Sequence, residues 1–235
     1  MTEPQRAIEA SFEQLCAAIP ATVGVAIAAP GAEAVYSLGE WSAGVAWSTI
    51  KVPLAIAALR HDQSRAAGLV AKMITESDNA ASETLWSRLG DPGEAARQVQ
   101  AVIREAGDSA TVVESRRLRP GFTPFGQTQW TLSSQARFAA NLARVPGADA
   151  VIHLMHHLVR GHRWGLAAKG IAVKGGWGPG VRGDYLVRQF AIMPIESGQV
   201  GVALAAEADA FETGVDVLNT LAGWLVGHLP ALAEQ

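Results

Sequence analysis

Between residues 3 and 19, apolar side chains fall at Ile8, Phe12, Leu15 and Ile19. That spacing draws one stripe along a helix, and Pro20 ends it. Two short runs of β-type residues follow, 22–28 and 32–38, with Pro30-Gly31 between them, which predicts a hairpin. From there the pattern turns helical. Candidate helices cover 51–61, 78–89, 93–106, 131–144 and 148–159. The stretch 107–129 has two prolines, three glycines and a basic run, and is expected to be one long irregular loop. Strand patterns return at 170–176, 184–194 and 199–206, and a last helix is expected over about 213–228. This order predicts a mixed α/β (α+β) fold: an antiparallel sheet built from both ends of the chain and flanked by helices. A single domain over 1–235 is expected, with an α/β lobe from about 1–47 and 165–235 and a reduced all-helical lobe from about 48–164.

Composition narrows the function classes. The 235 residues are 49% hydrophobic and 17% charged, with a formal net charge of −3. That supports a full core and argues against disorder. No basic footprint of a nucleic-acid binder is present. Apolar stretches are interrupted well short of the roughly 20 residues a spanning helix needs, so no membrane span is expected. No basic segment followed by an apolar one opens the chain, which leaves both a cytoplasmic and a processed extracytoplasmic protein open. One cysteine, Cys16, excludes an intrachain disulfide. His153, His156, His157 and His162 lack accompanying carboxylates or cysteines, so they read as ordinary surface or core residues, with no metal site.

Three short motifs carry chemistry. Ser48-Thr49-Ile50-Lys51 opens the 51–61 helix. Serine and lysine three residues apart share one face of a helical turn, and a partly desolvated lysine can take the serine proton. Ser77-Asp78-Asn79 precedes the next helix, with Asp78 placed to cap it. Ser77 can relay a proton, and Asn79 can hold Lys51 or a substrate carbonyl. Lys174-Gly175-Gly176 lies in a strand pattern, where a lysine can attract a substrate carboxylate and a strand edge can offer N–H groups to an oxyanion. With 13 serines and four lysines, one Ser-x-x-Lys is expected about 0.2 times by chance, so that motif alone says little. The three in this order say much more.

The ordered set resembles the Ser-x-x-Lys, Ser-Asp-Asn and Lys-Thr-Gly motifs of the serine β-lactamase and penicillin-binding-protein superfamily, and is most similar to class A proteins. The resemblance spans about residues 5–230. It implies an α/β lobe and a helical lobe with the site between them, acylation of Ser48 and assistance by Lys51. It further implies proton transfer through Ser77, positioning by Asn79, and anion binding by Lys174 with Gly176 beside it. The N–H groups of Ser48 and Trp177 would form the oxyanion hole, and Arg182 or Arg188 would supplement the carboxylate site. Trp47 and Trp177 would line the cleft, while Trp41, Trp130 and Trp164 suit core or cleft alike. The substrate class is a small β-lactam, D-alanyl peptide or ester, with no cofactor.

Departures from the family pattern carry their own expectations. The 29-residue step from Ser48 to Ser77 predicts a trimmed helical lobe and a more open cleft. Gly175 stands where the family has Thr or Ser, which removes a hydroxyl worth roughly 1.5–3 kcal/mol to a bound carboxylate. The loop 107–129 has Asp108 and Glu114 as its carboxylates and no Asn. Glu114 reads as a solvated loop residue, so the base that would free the acyl-enzyme is missing. On that ground a slowly turning-over or purely binding relative is the alternative to a hydrolase.

Overall fold

The computed structural model describes residues 3–233. Helix α1 (Glu3–Ala18) leads into the hairpin β1 (Thr22–Ala28) and β2 (Val35–Gly39). A short strand, β3 (Ala43–Val45), runs through a 3-10 turn (Trp47–Ile50) into α2 (Lys51–His61). Then come α3 (Gln63–Thr75), α4 (Asn79–Arg88) and α5 (Pro92–Glu105). After a long loop, β4 (Gln129–Thr131), α6 (Leu132–Asn141) and α7 (Ala148–Met155) precede three long strands and a helix. These are β5 (Ala172–Pro179), β6 (Tyr185–Ile195), β7 (Gly198–Ala208) and α8 (Phe211–Ala233).

The main sheet is antiparallel throughout, in the order β2-β1-β7-β6-β5. Strand β1 pairs with β7, Val25 opposite Leu204, so the two ends of the chain meet in mid-sheet as the element order predicts. Six of the seven β1 residues are buried, because both faces of the strand are covered. One face carries α1 and α8, with Phe12, Val25, Leu204 and Leu221 in the same apolar cluster. The other carries α6 and the remaining helices, around Ala26, Phe138, Phe190 and Ala203. Each fully buried Leu or Phe in these clusters contributes roughly 1.5–3 kcal/mol. Gly201 lets α6 lie directly on β7: a Cβ there would strike the backbone of Ala136 and Ala140.

Three features differ from the sequence expectation. Helix α3 has no counterpart in it, because Asp62 alone separates α3 from α2. This residue closes α2 through its N–H to Ala58 O and caps α3 by accepting from Arg65 N. The small sheet β3-β4, with Gly44 opposite Trp130, is too short and too far apart in sequence to show as a pattern. Helix α6 falls inside the 48–164 stretch expected to form the helical lobe, yet it packs against β7 and β1 of the main sheet. No described helix is long and apolar enough to cross a membrane.

Candidate active site

Sheet order puts β5 at an edge, and the 3-10 turn that begins at Trp47 abuts it. Glycine makes the close approach possible. A Cβ on Gly176 would stand 2.8 Å from the amide nitrogen of Ser48 and 2.8 Å from Ala46 O, and one on Gly178 would enter the Trp47 ring. Edge strands leave alternate N–H groups without a strand partner, and the first amides of a helix have no partner within it. Both donors of the expected oxyanion hole, Ser48 N–H and Trp177 N–H, therefore come from backbone of the kind that has hydrogen bonds to spare.

Strain marks the same place. Among the described residues, the non-glycine positions with positive φ are Trp47, at 50°, and Ser77, at 55°. Such conformations cost on the order of 1–3 kcal/mol and persist where surroundings hold them. Trp47 is held by the edge of Phe122, with ring centroids 5.2 Å apart, and by the Arg119 guanidinium 5.7 Å above its ring. Behind the turn, Thr49 Oγ1 donates to Ala46 O and accepts from Gln135 Nε2. Gln135 Oε1 in turn accepts from Arg188. The wholly buried Arg188 also donates to Gly44 O, Val45 O and Trp130 O. Arg188 thus braces the segment leading to Ser48 from behind. Burial lowers its pKa to about 9, which leaves it cationic at neutral pH. Its place among backbone carbonyls corrects the expectation that it could meet a substrate carboxylate.

The three motifs converge. Ser48, Lys51, Ser77, Asn79 and Trp177 line one cavity of about 220 Å³, together with Trp47. Lys51 Nζ donates to Ser77 O at 2.5 Å and to Asn79 Oδ1 at 2.8 Å, with a longer bond to Ser77 Oγ at 3.4 Å. Lys174 Nζ approaches Ser77 Oγ from the other side at 3.0 Å and also donates to Gly175 O. Ser77 Oγ therefore sits between two lysines that are 1% and 2% exposed. Asp78 caps α4 by accepting from Ala81 N at 2.6 Å. Burial lowers the Lys51 pKa to about 7, against an opposing pull from the Asp78 carboxylate. Lys174 is pushed well below the usual lysine range, first by burial and then by the charge of Lys51. Ser48 Oγ has no hydrogen bond among the described residues, and none joins it to Lys51. The donors of a protonated Lys51 are spent on Ser77 and Asn79. Loss of one proton frees a lone pair that can turn to Ser48.

Two expectations on substrate contacts change. Arg182 lies on the turn between β5 and β6 with its side chain 82% exposed, 3.9 Å from Glu207, and it does not line the cavity. Residues 174 and 176 face the helix side, so position 175 points the opposite way. A Cβ on Gly175 would stand 2.9 Å from the Trp164 ring. Trp164 thus fills the space a threonine side chain would need. Trp41, Trp130 and Trp164 are buried.

The loop carboxylates are accounted for as well. Asp108 is fully buried and accepts from Ala110 N, Thr111 N, Thr111 Oγ1 and Trp130 Nε1, which makes it a knot that shapes the loop. Glu114 is clamped by Arg116, which holds its pKa down, and it lies off the cavity. Glu83 escaped sequence reasoning altogether, and His162, read from the sequence as an ordinary surface or core residue, also lies near the site. Glu83 lines the cavity from α4, four residues after Asn79, a spacing that puts both on one helix face. His162, half-buried, lies with its ring 5.0 Å from that of Trp177, and burial and Lys174 lower its pKa.

A family model described as the beta-lactamase enzyme family matches residues 62–185. The chain belongs to the beta-lactamase enzyme family. The matched stretch carries Ser77-Asp78-Asn79 and Lys174 and begins after Ser48 and Lys51. The fold agrees with solved structures over nearly the whole length. A class A beta-lactamase representative from Bacteroides cellulosilyticus DSM 14838 superposes with a TM-score of 0.75 at 16% identity, covering 98% of this chain and 100% of that one. The TLA-3 extended-spectrum beta-lactamase gives 0.74 at 14%, covering 95% and 98%. PBP-A gives 0.69 at 19%, covering 94% and 95%. No functionally curated protein matches in sequence.

Proposed function

We propose that this family member is a serine hydrolase that forms an acyl-enzyme on Ser48 with a small β-lactam, D-alanyl amide or ester. The observation that carries the reading is the bridge Lys51–Ser77–Lys174 opening onto the cavity that Ser48 lines. Lys174 attracts the substrate carboxylate, with Gly176 beside it and Asn79 holding an amide or carbonyl of the substrate. The reacting carbonyl oxygen lies between the N–H groups of Ser48 and Trp177. Neutral Lys51 takes the Ser48 proton as Oγ bonds the carbonyl carbon. When the tetrahedral intermediate collapses, the carbon–nitrogen or carbon–oxygen bond breaks. Ser77 Oγ passes its proton to the leaving atom and is reprotonated by its lysine neighbours. A pKa of about 7 suits Lys51 to both taking and returning a proton near neutrality.

Intact-protein mass and drug consumption are followed in parallel after mixing with excess benzylpenicillin. The wild-type protein gains the mass of the drug or consumes it, and Ser48→Ala does neither. Consumption by Ser48→Ala at the wild-type rate overturns the reading.

A further inference from the structure

An acyl-enzyme becomes a turnover catalyst only when water can attack it. Sequence reasoning looks for the required base in the loop 107–129, but Asp108 is buried under four donors and Glu114 is tied to Arg116. Of the carboxylates in the described residues, Glu83 is the one that lines the cavity with Ser48, Lys51, Ser77 and Asn79. We infer that Glu83, on α4, is the base that activates the deacylating water. This rests on the acyl-enzyme reading proposed above.

The geometry supports it in three ways. Asn79 reaches Lys51 from the first turn of α4, and Glu83 follows one turn later on the same face. Arg117 Nη2 donates to Glu83 Oε1 at 3.2 Å, and Glu83 Oε2 has no hydrogen bond among the described residues. Arg117 therefore fixes one oxygen and leaves the other for water. Thr123 and Ser48 line the same cavity, and their hydroxyls have no hydrogen bonds among the described residues, so oxygens without protein partners face the space that Glu83 also lines. The Glu83 side chain is 50% exposed, which gives water a path from solvent.

The step balances. Glu83 Oε2 accepts a proton from water as the water oxygen bonds the acyl carbon. The tetrahedral intermediate then breaks its bond to Ser48 Oγ, and the proton that Glu83 took from water is relayed through neutral Lys51 to that oxygen. The acid product leaves, and Ser48, Lys51 and Glu83 are back in their starting protonation states.

A purely structural role would rest on Arg117, whose Nη1 donates to Phe122 O at 2.7 Å and so links Glu83 to the loop wall of the cavity. Glu83→Gln separates the two. Its amide oxygen still accepts from Arg117 but cannot take a proton from water. Wild type, E83Q and Arg117→Ala are each mixed with benzylpenicillin and, separately, with p-nitrophenyl acetate. Adduct mass is followed against probe consumption, with circular dichroism to confirm folding. The expected result is turnover with little adduct in wild type and accumulation of the Ser48 adduct in E83Q. Release in E83Q should be slowed about 100-fold or more, the usual scale of general-base loss. Release by E83Q at the wild-type rate overturns the proposal, as does a wild-type adduct that is never released. Accumulation in Arg117→Ala but not in E83Q makes Glu83 a latch and also overturns it. Absence of both adduct and consumption in wild type with either probe defeats the acyl-enzyme reading itself.

Discussion

The two walls of the cavity are built on different principles. One wall comprises the Trp47–Ile50 turn, β5 and the Ser77-Asp78-Asn79 corner. It has a buried backing in Trp47, Thr49, Lys51 and Lys174, is crossed by hydrogen bonds and contains both strained non-glycine residues. The facing wall is α4 beyond Asn79 and the loop around Gly121, Phe122, Thr123 and Gly126; Glu83 and Gly121 are exposed, and the half-exposed pair Arg117–Glu83 joins α4 to the loop at the surface. In the proposed mechanism acylation belongs to the first wall and release to the second. A charge-developing step gains from donors that do not reorganise, whereas a hydrolytic step needs an opening through which water can pass.

If that contrast is right, damage to the buried wall should be severe. The largest effect is expected from Gly176→Val. Its Cβ would lie 2.8 Å from Ser48 N and Ala46 O, both backbone atoms that cannot swing aside. Displacing one oxyanion donor costs about 10²- to 10³-fold in kcat, and adduct formation should slow by that factor while circular dichroism stays native. Should G176V acylate at the wild-type rate, β5 does not supply the oxyanion site.

An intermediate effect is expected from pH. In the proposed mechanism acylation requires neutral Lys51, so its rate should rise about tenfold per pH unit below 7 and level off above it. The sign for stability runs the same way. The folded pKa of about 7 lies below the ordinary 10.5, so the cost of burying this lysine is full below pH 7 and fades as pH rises toward 10.5. Lys51→Met should reduce the rise of stability with pH over that range, with the share of the equally buried Lys174 remaining, as read by urea unfolding at several pH values. A flat acylation profile between pH 5.5 and 8 would assign the base to another group.

The smallest effect should come from the exposed wall. Arg119 stacks over Phe122 at 4.5 Å and donates to Pro179 O, tying the loop to the end of β5. Arg119→Ala removes a cation–π contact worth about 0.5–1 kcal/mol. It should lower Tm by a few degrees and leave acylation within a few-fold of wild type. A collapse of acylation in R119A would show that the loop holds Trp47, and through it Ser48, in place.

Much of this was legible from residues alone, and the failures are instructive. Helix α2 was readable to the residue because an apolar run follows a polar turn and ends at Asp62. The three motifs were readable because each is local, with its residues within three positions of one another. Glu83 had a signal, four residues after Asn79, but a surface helix shows many such pairs and only the cavity distinguishes this one. Gly175 looked like a lost contact until Trp164, eleven positions earlier in the chain, proved to occupy its space. Arg188 looked like a substrate ligand because it lies in a strand next to the third motif. Its real partners, Gly44, Val45, Trp130 and Gln135, come from other parts of the chain.

The sequence by itself determined most of the element order, with α3, β3 and β4 the exceptions, the antiparallel closure of both chain ends into one sheet, and the choice of Ser48, Lys51, Ser77, Asn79 and Lys174 as a candidate set. Periodicity and short motifs encode these, since both act between near neighbours. The tertiary structure alone decided that Ser77 lies between two lysines and that Arg188 faces inward and Arg182 outward. It also decided that Glu83, and not a loop carboxylate, faces the cavity. Those outcomes depend on which distant surfaces meet, and burial rather than spacing sets the charge each buried group can carry.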